Sequence, residues 1–194
     1  MTTDAADPSQ SRARLREQLI ACRQTLSPMA RRAAEVRIVR ALITHFGLAN
    51  PGVVGCYWAH RGEPDIRDVM LRIIDLGGQV ALPAPVRPRR AMDFRAWGPL
   101  TKVVPGLAGV PTPADGALLR PDVLLVPVVG FDARGHRLGY GGGYYDRTLA
   151  ALSPRPKTIG VAFERARVNE LKALPHDIPL DMIATEAGVR PALR

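Results

Sequence analysis

Short apolar runs alternate with segments of helical periodicity along most of this 194-residue chain, and no other feature restricts the fold as strongly. Apolar runs of this length are typical of strands that are buried on both faces of a parallel sheet. The predicted strands are VVGCYWA from Val53, QVALPAP from Gln79, DVLLVPVVG from Asp122, KTIGVAFE from Lys157 and, as the last one, LDMIATE from Leu180. We therefore expect an α/β domain whose largely parallel sheet is covered by helices on both faces.

Helix signals lie between and before these runs. Ser9 or Ser11 can cap a first helix, and Ser27, followed directly by a proline, is the predicted N-cap of a second helix that Gly47 ends. The second helix is predicted to bury an apolar stripe formed by Val36, Val39, Leu42, Ile43 and Phe46. A third helix follows Asp65, a candidate cap, and stops at Gly77.

Three further segments complete the expected secondary structure. The stretch from Met92 to Trp97 alternates like an edge or hairpin strand, and YYDRTLAAL from Tyr144 predicts a short helix. Pro127 lies inside an apolar run, so it must occupy a bulge or the end of a strand, because it has no N–H to donate to a sheet. Ligands of such folds bind in the crevice at the carboxyl ends of the strands, where the loops are expected to carry the site.

Composition indicates one globular domain over residues 1–194, with residues 1–10 expected to form a flexible tail. Hydrophobic residues make up 46% of the chain, and 27 basic against 18 acidic residues give a net charge of +9. Such an excess favours anionic partners, either phosphorylated small molecules or nucleic acid. Aromatic residues are few, at 5%, which argues against a nucleic-acid platform. No signal peptide or membrane-length apolar run is visible, so we expect a cytoplasmic monomer that contacts no membrane.

One glycine-rich turn stands out, in RLGYGGGYYDR from Arg137 to Arg147. Glycine allows a ligand to approach the backbone closely, and successive N–H groups before a helix form a cradle for anions. The P-loop and dinucleotide-binding patterns both fail here, because Tyr144 stands where each requires glycine. The turn therefore predicts a phosphate site of another kind, with a flexible hairpin as the alternative.

The segment VPVVGFDARGHRLGYGGGYYDR, from Val126 to Arg147, resembles the signature of the 5-formyltetrahydrofolate cyclo-ligase family. RARLR from Arg12 is similar to the family's K-x-x-L-R, and YWAHRGEPDI, MDFRAWGPL, GVPTP and HDIPLDMIATE follow in the family's order. The resemblance covers almost the whole chain. It implies a three-layer α/β/α fold like that of sugar-phosphate isomerases and CoA transferases, with ATP, Mg²⁺ and a reduced folate as ligands.

The same resemblance assigns roles to individual residues. The implied ATP-binding residues are Arg12, Arg16, Arg137, Leu138, Gly139, Tyr140, Gly141, Gly142, Gly143, Tyr144 and Tyr145. The implied folate-binding residues are Trp58, Glu63, Tyr140 and Tyr144, the metal carboxylates are Asp146 and Asp177, and the catalytic residues are Arg137 and Tyr144. Asp146→Asn is accordingly expected to change Mg²⁺ dependence while the ligand-free stability changes little.

Each assignment has a simpler alternative. The arginines from Arg12 to Arg16 could form a solvated helix face, Trp58 could belong to the core, and Asp146 could only complement a helix dipole. The chain also departs from the family pattern at Arg12, Thr112, Gly142 and Ala166, where relatives carry Lys, Glu, Lys and Gln. A paralogue with another folate or formyl-amide substrate therefore remains an alternative, and a basic nucleic-acid-binding module is a further one.

Overall fold

The computed structural model describes residues 8–47 and 49–193, which form four α-helices and eleven strands. The helices are α1 (Pro8–Gln24), α2 (Pro28–Phe46), α3 (Arg67–Asp75) and α4 (Tyr144–Ala151). The strands are β1 (Val53–Gly55), β2 (Gln79–Ala84), β3 (Asp93–Trp97), β4 (Val103–Pro105), β5 (Pro111–Pro113), β6 (Val123–Pro127), β7 (Gly130–Phe131), β8 (Arg137–Leu138), β9 (Lys157–Val161), β10 (Met182–Thr185) and β11 (Gly188–Pro191). Short 3₁₀ turns lie at Leu107–Gly109 and Glu164–Ala166.

Seven strands form the main sheet in the order β11-β10-β9-β6-β1-β2-β3. The five strands from β10 to β2 are parallel, while β3 and β11 add to the two edges in the antiparallel sense. Two small hairpins, β4–β5 and β7–β8, lie outside this sheet. The expected α/β domain with a mostly parallel sheet is confirmed.

Successive residues of the central strand β6 face opposite sides of the sheet. Leu125 packs in a core with Ile38 and Leu42 of α2 and with the buried side chains of α3. Leu124 packs on the other side, in a core that includes Leu149 of α4. All four of these leucine and isoleucine side chains on α2 and β6 are fully buried, and each contributes about 1.5–3 kcal/mol through loss of apolar contact with water. The result is the expected three-layer arrangement.

The boundaries of α2 follow the local chemistry that the sequence predicts, whereas α1 includes Pro8, so the predicted caps Ser9 and Ser11 lie inside that helix. Ser27 Oγ accepts a hydrogen bond from the Ala30 N–H at 3.2 Å, and Gly47 ends α2 with its N–H on the Ile43 carbonyl. Pro127 is the final residue of β6, where its missing N–H does not interrupt the sheet. The predicted edge strand is confirmed as β3.

Several sequence expectations were wrong in detail. Val36 is 50% exposed, and Ile38 takes the buried position on α2, because the face toward the sheet is rotated from the predicted stripe. Asp65 is not the N-cap of α3: the helix begins one residue later than that requires, and Asp65 instead accepts from the Arg67 N–H at 3.0 Å. LDMIATE is not the last strand, since the chain turns at Gly188 and returns as β11.

The predicted N-terminal tail falls largely outside the described residues. Residues 8–10, which were assigned to that tail, already belong to α1. None of the helices in the described part of the chain is long and apolar enough to cross a membrane.

Candidate active site

A cavity of about 560 Å³ opens at the carboxyl ends of β1, β2 and β6. Residues that follow or end these strands, including Trp58, Pro83 and Pro127, form part of its wall. Further parts of the wall come from α1, the loop before α3, the segment around Val110, the glycine turn before α4 and the loop that precedes β10. This is the position at which α/β sheets bind ligands, as the order of elements predicted.

The glycine turn lies between β8 and α4 and exposes its backbone to the cavity. Gly141 and Gly143 have φ values of +90° and +61°, a backbone region that residues other than glycine rarely adopt. Among the described residues, the N–H groups from Gly139 to Gly143 donate no backbone hydrogen bond. The turn carbonyls are engaged instead: Gly139 O accepts from Arg16 Nε at 2.6 Å, and Gly142 O accepts from Arg147 Nη2. The free donors beside a helix start form a cradle suited to phosphate.

Three arginines line the same side of the cavity. Arg12 and Arg16 are one helical turn apart on α1, so both reach the cavity, where Arg16 contacts the glycine turn and Arg12 contacts Asp177, and Arg137 comes from β8. Burial and the neighbouring charge of Arg12 lower the pKa of Arg16, which means that its positive charge is under-compensated in the ligand-free protein. An anionic ligand would relieve this repulsion, and planar guanidinium groups are well matched to phosphate oxygens.

Two aspartates occupy the rim beside these arginines. Asp146, in the first turn of α4, accepts from Arg137 Nη2 at 2.5 Å and from the Ile178 N–H at 3.1 Å, both through Oδ1. Asp177 accepts from Arg12 Nη1 and the Leu174 N–H, both at 2.8 Å and both through Oδ2. The second oxygen of each carboxylate accepts no hydrogen bond from the described residues.

This donor set fits a magnesium ion that is shared with a nucleotide. Within the described part of the chain, no group of three or more His, Cys, Asp or Glu side chains could hold a metal by itself. Mg²⁺ usually binds one or two carboxylates and completes its shell with substrate phosphates and water. Asp146 and Asp177 line one cavity with the glycine turn, so both could approach a metal carried by phosphates held there.

The same cavity contains a buried carboxylate, Glu63, in the loop between β1 and α3. It is 5% exposed, with Oε1 accepting from the Tyr140 hydroxyl and Oε2 from the His60 N–H, both at 2.9 Å. Burial raises the pKa of Glu63, and these two hydrogen bonds together with the charges of Arg23 and Arg61 offset only part of that effect. Glu63 is therefore a positioned acceptor for a ligand with N–H groups.

Aromatic rings cover the walls near this carboxylate. Trp58 packs against Trp97 with ring centroids 6.0 Å apart and also lines the cavity, so it serves both the core and the site. The Trp58 ring also contacts Arg67, whose Cζ lies 5.6 Å from the ring centroid. Burial and the charge of Glu63 raise the pKa of Tyr140 to about 12, so its hydroxyl stays protonated and donates to Glu63. Flat apolar walls beside a polar end suit a planar heterocycle.

The structure brings together every residue that the sequence assigned to the site except one. Leu138 is fully buried and does not line the cavity, because alternation along β8 directs its side chain into the protein while Arg137 faces the cavity. The other assigned residues all line the cavity: Arg12, Arg16, Trp58, Glu63, Arg137, Gly139, Tyr140, Gly141, Gly142, Gly143, Tyr144, Tyr145, Asp146 and Asp177.

The four departures from the family pattern have different surroundings. Arg12 lines the cavity and pairs with Asp177, and a Cβ at Gly142 would lie 2.9 Å from the Tyr144 ring. Thr112 Oγ1 lies 3.1 Å from the Pro83 carbonyl oxygen and 3.0 Å from that of Val110, two residues of the cavity wall, so its one proton can bond either carbonyl and Thr112 supports that wall without reaching the cavity. Ala166 is buried in a 3₁₀ turn and does not line the cavity.

Sequence reasoning missed several residues of the site region. His60, Arg61 and Met92 line the cavity. Arg23 does not line it but donates a hydrogen bond to the hydroxyl of Tyr140, which does. Spacing on α1 could have placed Arg23 two turns beyond Arg16 and close to the same face, but only the fold shows that its side chain is buried.

Comparison with known proteins gives an independent view of the chain. The curated 5-formyltetrahydrofolate cyclo-ligase of Mycolicibacterium smegmatis is 31% identical over 193 residues, covering 95% of this chain and 98% of its own length. The enzyme of the same name from Escherichia coli K12 is 28% identical over 175 residues, covering 86% and 96%.

Two solved structures superimpose on nearly the whole chain. The 5,10-methenyltetrahydrofolate synthetase of Aquifex aeolicus superimposes with a TM-score of 0.79 at 27% identity, covering 94% of this chain and 93% of that one. The synthetase of Mycoplasma pneumoniae, with a TM-score of 0.75 and 23% identity over 90% and 98% of the two chains, supports the fold.

The fold, the arginine-rich cavity at the strand ends and these relatives define an enzyme of the ligase class. Residues 8–186 of the chain match the model of the 5-formyltetrahydrofolate cyclo-ligase family. The chain belongs to that family.

Proposed function

We propose that this enzyme uses ATP and Mg²⁺ to cyclise 5-formyltetrahydrofolate to 5,10-methenyltetrahydrofolate, with release of ADP and phosphate. One observation carries the proposal: a single cavity joins an unpaired backbone cradle flanked by three arginines to a buried carboxylate with aromatic walls. The first end suits a triphosphate and the second suits a pterin ring. A cavity with both ends allows a phosphoryl group and a formyl group to meet.

At the nucleotide end, the glycine-turn N–H groups and Arg16 would bind the phosphates, and Arg137 would stabilise charge on the transferring group. Asp146 and Asp177 would hold Mg²⁺, which supplies positive charge at the phosphate oxygens. Asp146 already fixes the Arg137 guanidinium at 2.5 Å, so the catalytic cation is oriented before any ligand arrives. Preorganisation of this kind lowers the barrier because the protein does not reorganise during the reaction.

At the folate end, Glu63 would accept hydrogen bonds from the N–H groups of the pterin edge, with Trp58 and Tyr140 beside the ring and Tyr144 near the formyl group. The formyl oxygen takes the γ-phosphoryl group, which converts an amide oxygen into a good leaving group. The neighbouring folate N–H nitrogen then attacks the formyl carbon and loses its proton to solvent, and the carbon–oxygen bond breaks to release phosphate. The residues of the cavity supply positioning and charge stabilisation for both steps.

The test is a direct assay with purified protein, ATP, Mg²⁺ and 5-formyltetrahydrofolate, in which the methenyl chromophore and ADP are followed together. Equal amounts of both products are expected, and removal of Mg²⁺ by chelation should stop both. Absence of both products with folded protein would refute the proposal. ADP release with a different formyl amide, and none with this folate, would identify a paralogue instead.

A further inference from the structure

Arg23, near the end of α1, is a buried arginine for which the proposed reaction has no direct use. Its side chain is 4% exposed and does not line the cavity. Nη2 donates to the Tyr140 hydroxyl at 2.7 Å and to the Arg61 carbonyl at 3.0 Å. Nε and Nη1 are buried and have no hydrogen-bond partner among the described residues, and within them Arg23 forms no ion pair.

Such an arrangement is costly for the fold. A buried cation loses its hydration, and only good acceptors or a nearby anion compensate that loss. A guanidinium has five N–H groups, and here only one of its nitrogens donates, to two neutral acceptors, which compensates little of the lost hydration. An apolar side chain of similar length would fit the same place at lower cost, so a benefit outside simple packing has to be sought.

The hydroxyl of Tyr140 connects Arg23 to Glu63. A tyrosine hydroxyl has a single proton, so when Tyr140 accepts from Arg23 its own O–H is directed to Glu63 Oε1, at 2.9 Å. Arg23, Tyr140 and Glu63 thus form a chain of hydrogen bonds with one fixed direction, from the buried cation to the buried carboxylate. Chains that end on charges at both ends are stronger than isolated pairs in a low-dielectric interior.

The surroundings of Glu63 contain groups of both signs. The groups that face it are His60 through its N–H, Tyr140, Arg61 on the same loop, Tyr57 after β1, Tyr145 on α4 and Arg23 on α1. The three phenols are neutral, and Arg61 is exposed to solvent, where its charge is screened. Arg23 is the one buried cation among these described neighbours, so its field on Glu63 is the least screened.

We propose that Arg23 is a positioning residue that acts through Tyr140 to keep Glu63 ionised and oriented for the folate substrate. The proposal rests on the proposed function for the identity of the substrate, but the link from Arg23 to Glu63 can be measured without any substrate. A merely structural Arg23, tying α1 to the Arg61 loop, would affect stability and leave the titration of Glu63 unchanged.

The decisive variants are Arg23→Met, which removes the charge at similar length, and Arg23→Lys, which keeps it. Arg37→Met, at an exposed position of α2, is the matched control for the loss of one positive charge elsewhere. Tyr140→Phe interrupts the chain at the hydroxyl and carries the test further if Arg23→Met does not fold. Each protein is titrated with its glutamate carboxyl carbons labelled with ¹³C, and Glu63→Gln assigns the Glu63 signal.

Arg23→Met removes the buried cation and Tyr140→Phe removes the O–H that donates to Glu63; both changes disfavour ionised Glu63, so its pKa should rise in these two variants but stay close to native in Arg23→Lys and Arg37→Met. In the assay, kcat/KM for 5-formyltetrahydrofolate should fall about tenfold at the acid end of the pH profile in Arg23→Met, and less than about threefold at the alkaline plateau. The ATP affinity should not change. These results would establish Arg23 as a positioning residue.

A Glu63 signal that titrates identically in the native protein, Arg23→Met and Tyr140→Phe would overturn the proposal, even for an active cyclo-ligase. So would an equal upward shift in Arg23→Lys and Arg23→Met, because charge would then not be the cause. Conversely, a raised Glu63 pKa in Arg23→Met would support the chain of hydrogen bonds even if the native protein converts no folate, an outcome that would refute only the proposed function.

Discussion

The ion pair between Arg137 and Asp146 makes Asp146→Asn a sharp test of how the site is held together. The two side chains are 7% and 19% exposed, and Arg137 Nη2 lies 2.5 Å from Asp146 Oδ1. Breaking a buried pair by removing one partner costs about 3–5 kcal/mol, because the remaining charge has no compensation. Asparagine still offers an oxygen to Arg137 and to the Ile178 N–H, so part of the interaction survives.

The expected loss in the free energy of unfolding is about 1.5–3 kcal/mol, the range for hydrogen bonds to charged groups. For a chain of this size, that corresponds to a fall in Tm of roughly 3–12 °C. Sequence reasoning predicts little change in ligand-free stability for this substitution, and the contact with Arg137 reverses that expectation. A higher Mg²⁺ requirement for turnover should accompany the loss, as the proposed metal role demands.

The assay is urea denaturation of the ligand-free protein at neutral pH with a chelator present, so that no metal contributes. Asp65→Asn is the matched control, since its ion pair with Arg67 is 30% and 59% exposed and should contribute less than about 1 kcal/mol. If Asp146→Asn loses no more stability than Asp65→Asn, the Arg137–Asp146 pair does not stabilise the fold and the reasoning fails. A stable variant with unchanged Mg²⁺ dependence would also end the metal assignment.

Three further predictions concern the two ends of the cavity. Glu63→Gln should lower kcat/KM for the folate by about 5- to 150-fold, the equivalent of about 1–3 kcal/mol. The ATP affinity, measured by isothermal titration, should not change. An equal loss of affinity for both ligands would contradict the folate role. Gly141→Ala, at φ +90° with a Cβ 3.5 Å from the Arg16 guanidinium, should lose about 1–2 kcal/mol of stability and weaken nucleotide binding. Gly139→Ala is its control, because a Cβ there meets nothing within 4 Å, and similar losses in both variants would show that strain at Gly141 is not the cause. Because burial raises the pKa of folded Glu63, its contribution to stability is fully present below its ordinary pKa and is lost as the pH rises through the raised value. Urea denaturation at several pH values, starting below the ordinary pKa of a glutamate, should therefore show native stability falling relative to Glu63→Gln as the pH increases, and a constant difference would show that burial does not penalise this carboxylate.

The local structure of the chain was largely readable from its sequence. Ser27 and Gly47 delimit α2 because capping depends on a few neighbouring residues, and the strand-helix alternation that includes β6 requires a parallel sheet. The glycines before α4 predicted an anion cradle for the same local reason. The resemblance of the motifs to a family predicted most of the residues that line the cavity, because a family signature combines segments that are far apart in the sequence.

Interactions between distant segments were decided only by the tertiary structure. Arg12 meets Asp177 across 165 positions of sequence, and Arg23 meets Tyr140 across 117. Sequence periodicity shows which residues share a face of one element, but it does not show which element packs against that face. The burial of Glu63 and Arg23, and hence the sign of the Glu63 pKa shift, depends on that packing, because desolvation is a property of the assembled interior.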